Sequence, residues 1–276
     1  MNAEVELAKK IVESYDGPKI RIMEVCGTHT HEIFRYGIRR ILPKSVQLIS
    51  GPGCPVCVTP TGYIDEAVML ALDKGAVICT FGDLVRVPGT EKSLADARAE
   101  GARVKIVYAP SDAVDYAAQH RDEQVVFLSV GFETTTPASC LAVRQAKENG
   151  VENFSLLTAN KTMDNAYRLL KGSTDAFLFP GHVSAITGTK IYDKLKDEGI
   201  CGTVTGFTSG EILTALAVNI KKVQAGAPFF VNCYPRVVTD EGSPSATSIV
   251  PQPTEPPDPD PRRLGATQAP GLKRTD

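Results

Sequence analysis

Two cysteines separated by two residues, Cys54-Pro55-Val56-Cys57, form the most reactive grouping in the chain. This spacing lets both sulfurs meet within one turn, as a reducible disulfide or as two ligands of one metal. Gly51, Pro52, Gly53 and Pro55 make a rigid loop around the pair, in which the backbone can approach a partner closely. A third thiol opens the segment Cys26-Gly27-Thr28-His29-Thr30-His31, where Thr28 and Thr30 are placed to cap a helix through Glu32-Ile33-Phe34. A thiol just before a helix N-terminus feels the positive end of the dipole, which favours thiolate and with it metal binding or nucleophilicity. His29 and His31 stand two apart, a spacing that sends side chains to different sides of a helix. One at most joins Cys26, and His29 is favoured.

Glu133, in Gly131-Phe132-Glu133-Thr134-Thr135, and His182, in Pro180-Gly181-His182-Val183-Ser184, each follow an apolar run and precede a helix start. Each reads either as a site group or as a residue that only serves the helix terminus. Cys79, Cys140 and Cys201 read as small buried hydrophobes. Cys233 has no partner at metal-ligand spacing, and His120 reads as a surface residue.

Strands must position these groups. Ile20–Val25, Val46–Ser50, Ala76–Phe81, Val104–Ala109, Val125–Val130, Phe154–Ala159, Ala176–Phe179 and Val204–Phe207 are β-branched or aromatic runs of strand length. Between them, amphipathic helices are expected over Tyr63–Asp73, Pro137–Asn149, Met163–Lys171 and Gly210–Ala225, with Thr136 and Thr162 as N-caps of the second and third. The alternation predicts an α/β fold of two Rossmann-like lobes with mainly parallel sheets, divided near the polar stretch Ser111–Arg121. The expected lobes are residues 1–120, with Cys26, Cys54 and Cys57, and residues 121–230, with Glu133 and His182. In such sheets ligands bind beyond the carboxyl ends of the strands, where all four motifs fall. From Gly242 onward the chain is rich in proline and poor in apolar residues, and an extended, disordered tail is expected. One face of the helix over Gly210–Ala225 is expected to lie exposed.

Composition narrows the function. With 30 Lys and Arg against 32 Asp and Glu, the net charge of −2 provides no field for a phosphate backbone, so no nucleic-acid partner is expected. Apolar runs fall short of the ~20 residues that span a bilayer, so no membrane partner is expected. The start Met1-Asn2-Ala3-Glu4-Val5-Glu6 is acidic with no apolar run behind it, which points to a cytoplasmic location. Seven cysteines without an export signal argue for core thiols, metal ligands or redox groups and against a disulfide framework.

The four motifs, in this order and together with Pro60 and Gly188, resemble the signature set of the HypD family of hydrogenase maturation factors, from the first helix to about Ala246. The resemblance implies a scaffold that joins the small chaperone HypC and holds the iron on which the Fe(CN)2CO unit of [NiFe]-hydrogenase is built, with cyanide arriving from HypE. It implies Cys26 as the iron ligand and Cys54 and Cys57 as a redox pair, in a crevice also lined by His29, Glu133 and His182. Thiolate suits iron bearing strong-field ligands, and a dithiol turns over electrons by forming a disulfide. The family continues into a third domain whose four cysteines ligate a [4Fe–4S] cluster. Residues 231–276 are therefore expected to be a remnant of that domain plus tail, from a truncated or frameshifted gene, and no such cluster is expected because the tail holds no cysteine. Two other readings of the residues stay open: a thiol–disulfide oxidoreductase using Cys54 and Cys57, and a zinc site of Cys26, Cys54, Cys57 and one of His29 or His31.

Overall fold

A computed structural model describes residues 3–250. Helices and strands alternate in the order α1 (Ala3–Glu13), β1 (Ile20–Glu24), α2 (Gly27–Arg35), β2 (Val46–Ser50), α3 (Thr61–Leu72), β3 (Val77–Thr80), α4 (Leu94–Ala99), β4 (Val104–Ile106), α5 (Pro110–Gln119) and β5 (Val125–Ser129). They continue as α6 (Thr136–Glu148), β6 (Phe154–Thr158), α7 (Met163–Leu169), β7 (Ala176–Pro180), α8 (Gly181–Thr187), α9 (Lys190–Asp197), β8 (Gly202–Thr205), α10 (Ser209–Ala225) and β9 (Phe230–Asn232). The strands form two sheets, one ordered β2-β1-β7-β8-β9 and one ordered β4-β3-β5-β6, and all ladder pairs are parallel. This is the α/β fold of two Rossmann-like lobes that the alternation predicts.

The chain divides into two compact units, but not at its midpoint. The first unit takes residues up to Cys54 and then Met163–Pro244, and the second takes Pro55–Thr162 and, among the described residues, 245–250. The expected boundary at 120 is therefore corrected, because α5 is no connection: it packs on β5 and α6 with Ala113, Val114 and Ala117 buried in the core beneath it. The chain just after 230 continues the first unit. β9 adds a fifth strand beside β8, and Ser243 N–H donates to Ile186 O at 3.0 Å. Of the expected tail, residues 242–250 include a short helix, Pro244–Thr247, and the rest lies outside the described residues.

In the second unit, side-chain alternation along β5 distributes the core. Val126 and Leu128 face α3 and α4 with Ile64, Ala67 and Leu94, while Val125 and Phe127 face α5 and α6 with Ala117 and Ala142. Both faces are covered, which is why all five residues of β5 are buried and apolar or hydroxyl-bearing.

In the first unit one sheet face packs on α1 and α10 through Val12, Ile22, Leu178, Ile212 and Leu216. The face of α10 expected to lie exposed is thus covered by α1. The opposite face carries aromatic rings. Phe179 meets Tyr192 at 4.5 Å and Tyr167 at 4.9 Å between ring centres, and Tyr192 stacks on Phe230 at 4.9 Å. Truncating Phe127, which has no exposure to solvent, removes ring contacts on one face of the four-stranded sheet. Phe127→Ala is expected to lower unfolding stability by about 3–5 kcal/mol in a urea titration.

Candidate functional site

Strand order locates the crevices. In the five-stranded sheet the chain runs outward from β1 to β2 on one side and from β7 through β8 to β9 on the other, so the order reverses between β1 and β7. At such a reversal the loops beyond the carboxyl ends diverge and leave a crevice. The loop after β1 begins with Cys26, and β7 leads directly into Gly181 and His182. The four-stranded sheet reverses in the same way between β3 and β5, and the turn after β5 carries Glu133. The first unit thus brings Cys26, His29, Cys54 and His182 to one sheet end, and the second unit holds Cys57 and Glu133.

Cys26 is the residue before the first helical turn of α2, half-buried, with extended backbone at φ −146° and no side-chain cap. The capping expected of Thr28 and Thr30 does not occur, because both lie inside the helix. Thr30 instead donates from Oγ1 to Glu24 Oε2 at 2.9 Å. The helix dipole at this end favours an anionic occupant. The loop of Cys54 presses on the backbone of Cys26: a Cβ on Gly53 would sit 2.4 Å from Cys26 N and 2.5 Å from Cys26 Cα. Only glycine permits that approach.

His29 is fully buried, and its Nε2 donates to Gly206 O at 2.9 Å. A carbonyl only accepts, so Nε2 bears the proton. Nδ1, left with the lone pair, has no hydrogen-bond partner among the described residues. Phe207 stacks between the two histidine rings, at 4.7 Å from His29 and 4.0 Å from His182. Gly206 and Phe207 lie just past β8, so the strand expected over Val204–Phe207 ends earlier and supplies these contacts from its loop. Burial lowers the pKa of His29 to about 4 and lowers that of the exposed His182 as well. His31 points outward near Glu32.

Sequence reasoning missed Glu24. Its carboxylate has no solvent access and accepts hydrogen bonds from Ser50 Oγ at 2.6 Å, Thr30 Oγ1 at 2.9 Å and Arg39 Nη2 at 3.3 Å. Burial pushes its pKa up, against the opposing pull of those three donors. Glu24 therefore ties together the end of β1, the end of β2 and the helix behind Cys26. The cue in the sequence was an acidic residue at the end of a strand whose other core-facing positions are apolar.

In the second unit Glu133 is half-buried in the turn between β5 and α6. Gly131 is required there, since a Cβ would fall 1.6 Å from Thr135 Oγ1. Thr136, expected as the cap of α6, is its first residue, and Thr135 precedes it. Cys57 is exposed, and the following Val58 O accepts from the Lys161 ammonium. Lys161 also went unrecognised in the sequence. Cys79 is fully buried and Cys233 half-buried, both pushed up to about 11 by burial, while Cys140 and Cys201 are half-buried. Among the described residues, no three His, Cys, Asp or Glu side chains form a ready metal-ligand cluster. No helix there is long and apolar enough to cross a membrane.

The architecture is that of a two-unit, doubly wound α/β protein with thiols and histidines at the sheet ends. A family model described as the hydrogenase formation hypA family, under the name HypD, matches residues 2–276. The hydrogenase maturation factor HypD of Cupriavidus necator is 39% identical over 262 residues, covering 89% of this chain and 69% of that protein. The HypD of Escherichia coli is 42% identical over 229 residues, 81% of this chain and 61% of its own length. A putative hydrogenase expression/formation protein of Methanocaldococcus jannaschii is 41% identical over 255 residues, 89% of this chain and 69% of that protein. The chain belongs to the HypD family of hydrogenase maturation factors.

Gly53→Ala is expected to displace the Cys54 loop from Cys26, seen as faster amide exchange in both segments with the sheets intact. For His29, the unfolded state binds protons below its ordinary pKa of 6.5 while the folded state resists them down to about 4. Stability is therefore full above pH ~6.5 and falls as pH drops toward 4, by up to about 3 kcal/mol. Urea titrations at several pH values should show this slope reduced in His29→Gln.

Proposed function

We propose that this chain is the iron-holding scaffold of [NiFe]-hydrogenase maturation, working with a HypC-like chaperone and a HypE-like cyanide donor to assemble the Fe(CN)2CO unit. The observation that carries the reading is the half-exposed Cys26 thiol at the uncapped start of α2, with the Cys54 loop packed against its backbone. Iron is the cargo here. The donor set suits it: a thiolate from Cys26 is a soft ligand that strong-field iron accepts well. The dipole of α2 favours the negative charge of a thiolate-bound cyanide complex at that position.

Cys54 and Cys57 supply the redox chemistry in this reading. Closing their disulfide releases two electrons and two protons, and a reductant external to these residues restores the dithiol. His29 serves this site as a neutral ring. Its bond to Gly206 fixes the first turn of α2, and its low proton affinity keeps positive charge away from the iron. His182 and Glu133 are placed at the switch points as polar groups for the incoming ligands or partner.

The test is an infrared spectrum of the chain co-purified anaerobically with HypC from cells expressing the other maturation factors. Cyanide and carbonyl bands are expected in the wild type and are lost in Cys26→Ala, while HypC still co-purifies. Bands that persist in Cys26→Ala would overturn the assignment of the iron ligand. Equal disulfide-exchange turnover in wild type and Cys26→Ala, with no bands in either, would favour a thiol–disulfide oxidoreductase instead.

A further inference from the structure

Lys161 lies just beyond β6 at the carboxyl end of the four-stranded sheet, two residues before the chain leaves the second unit. It makes two contacts with segments that carry chemistry. Its main-chain N–H donates to Gly131 O at 2.9 Å, at the start of the turn holding Glu133. Its ammonium, half-buried, donates to the carbonyl of Val58, the residue after Cys57. The loop closes on itself through Thr59 N–H to Val56 O at 3.1 Å and Thr59 Oγ1 to Pro55 O at 3.0 Å. Those bonds shape the turn without fixing it to the sheet. Val56 packs on the core at one end, and the Lys161 ammonium anchors the other.

A lysine suits this task for two physical reasons. Its four-carbon stem spans from the end of β6 to a segment 103 residues earlier in sequence. A charged donor also makes a stronger hydrogen bond to a carbonyl than a neutral one, the more so where water is partly excluded. Burial correspondingly lowers the proton affinity of Lys161.

We propose that Lys161 is a positioning residue for the Cys57 thiol, holding the Cys57 loop and the Glu133 turn in fixed register by bonding both with one side chain and its own amide. The proposal rests on the dithiol reading for its chemical consequence. A thiol pair forms its disulfide readily when the loop between the sulfurs is held, because the effective concentration of one thiol near the other falls as the loop loosens.

Three full-length proteins test this: wild type, Lys161→Met, which keeps the stem but removes the charge, and Lys161→Arg, which keeps a cationic donor. Hydrogen exchange is expected to speed up in Lys161→Met at residues 55–59 and 131–135 together, with the strands of the first unit unchanged. In Lys161→Arg it stays near wild type. The equilibrium of Cys54 and Cys57 with a glutathione buffer is expected to shift about tenfold toward the dithiol in Lys161→Met and to be restored in Lys161→Arg. Unchanged exchange at 55–59 in Lys161→Met overturns the proposal, as does acceleration spread over the whole chain. Failure of wild type to form any Cys54–Cys57 disulfide overturns the dithiol reading alone, since the exchange data still decide the role of Lys161.

Discussion

Parallel pairing of β1 with β2 on one side and β7 on the other is the constraint on which the site depends. β7 arrives more than a hundred residues after β1, yet it takes the ladder position beside it, with Met23 aligned to Phe177 and Glu24 to Leu178. That insertion makes the strand order reverse at β1. It brings the Cys26 loop and the His182 loop to neighbouring strand ends, and β8 then places Gly206 and Phe207 where His29 can bond one and both histidines can stack on the other. The same logic operates independently at β3 and β5 for Glu133.

Within this frame the polar groups divide by environment. Glu24 is a carboxyl group taken out of water, tolerated because three donors from separate segments converge on it, and removing one partner of a buried polar arrangement leaves the rest unsatisfied at a cost. His29 is the opposite case: no countercharge faces it closely enough to offset burial, so it stays neutral. Lys161 sits between the two, partly buried and bonded to the carbonyl oxygens of Val58 and Gly131. The thiols Cys26 and Cys57 remain accessible while Cys79 is enclosed. Accessible and enclosed cysteines are thus separated by position relative to the strand ends.

Eight of the strands and the motif loops at their ends were legible because buried parallel strands write continuous apolar runs, such as Val125–Ser129, and glycine and proline punctuate the loops after them. β9 was not, since Phe230–Asn232 is a three-residue edge strand that is only partly buried. The division into units was hidden for a different reason. Local periodicity carries no information about which distant strand a run will pair with, so nothing in Ser111–Arg121 distinguished a connection from the packed helix α5. The site cysteines announced themselves by spacing. Glu24 and Lys161 did not, because their roles come from partners that are far away in sequence or lie on other elements.

The discontinuity of the first unit has a consequence for synthesis. Residues 55–162 emerge from the ribosome as one uninterrupted run that contains every strand of the four-stranded sheet. By then β1 has only β2 beside it, and a two-stranded pair lacks the buried surface to persist alone. The strand ends beside Cys26 are in place only after β7 and the Gly206–Phe207 loop have been made, so every strand of the four-stranded sheet precedes those of the five-stranded sheet that flank β1 on its other side. A nascent chain ending just past residue 162 holds all strands of the four-stranded sheet but lacks β7, β8 and β9, so Cys26 is still without those strand neighbours.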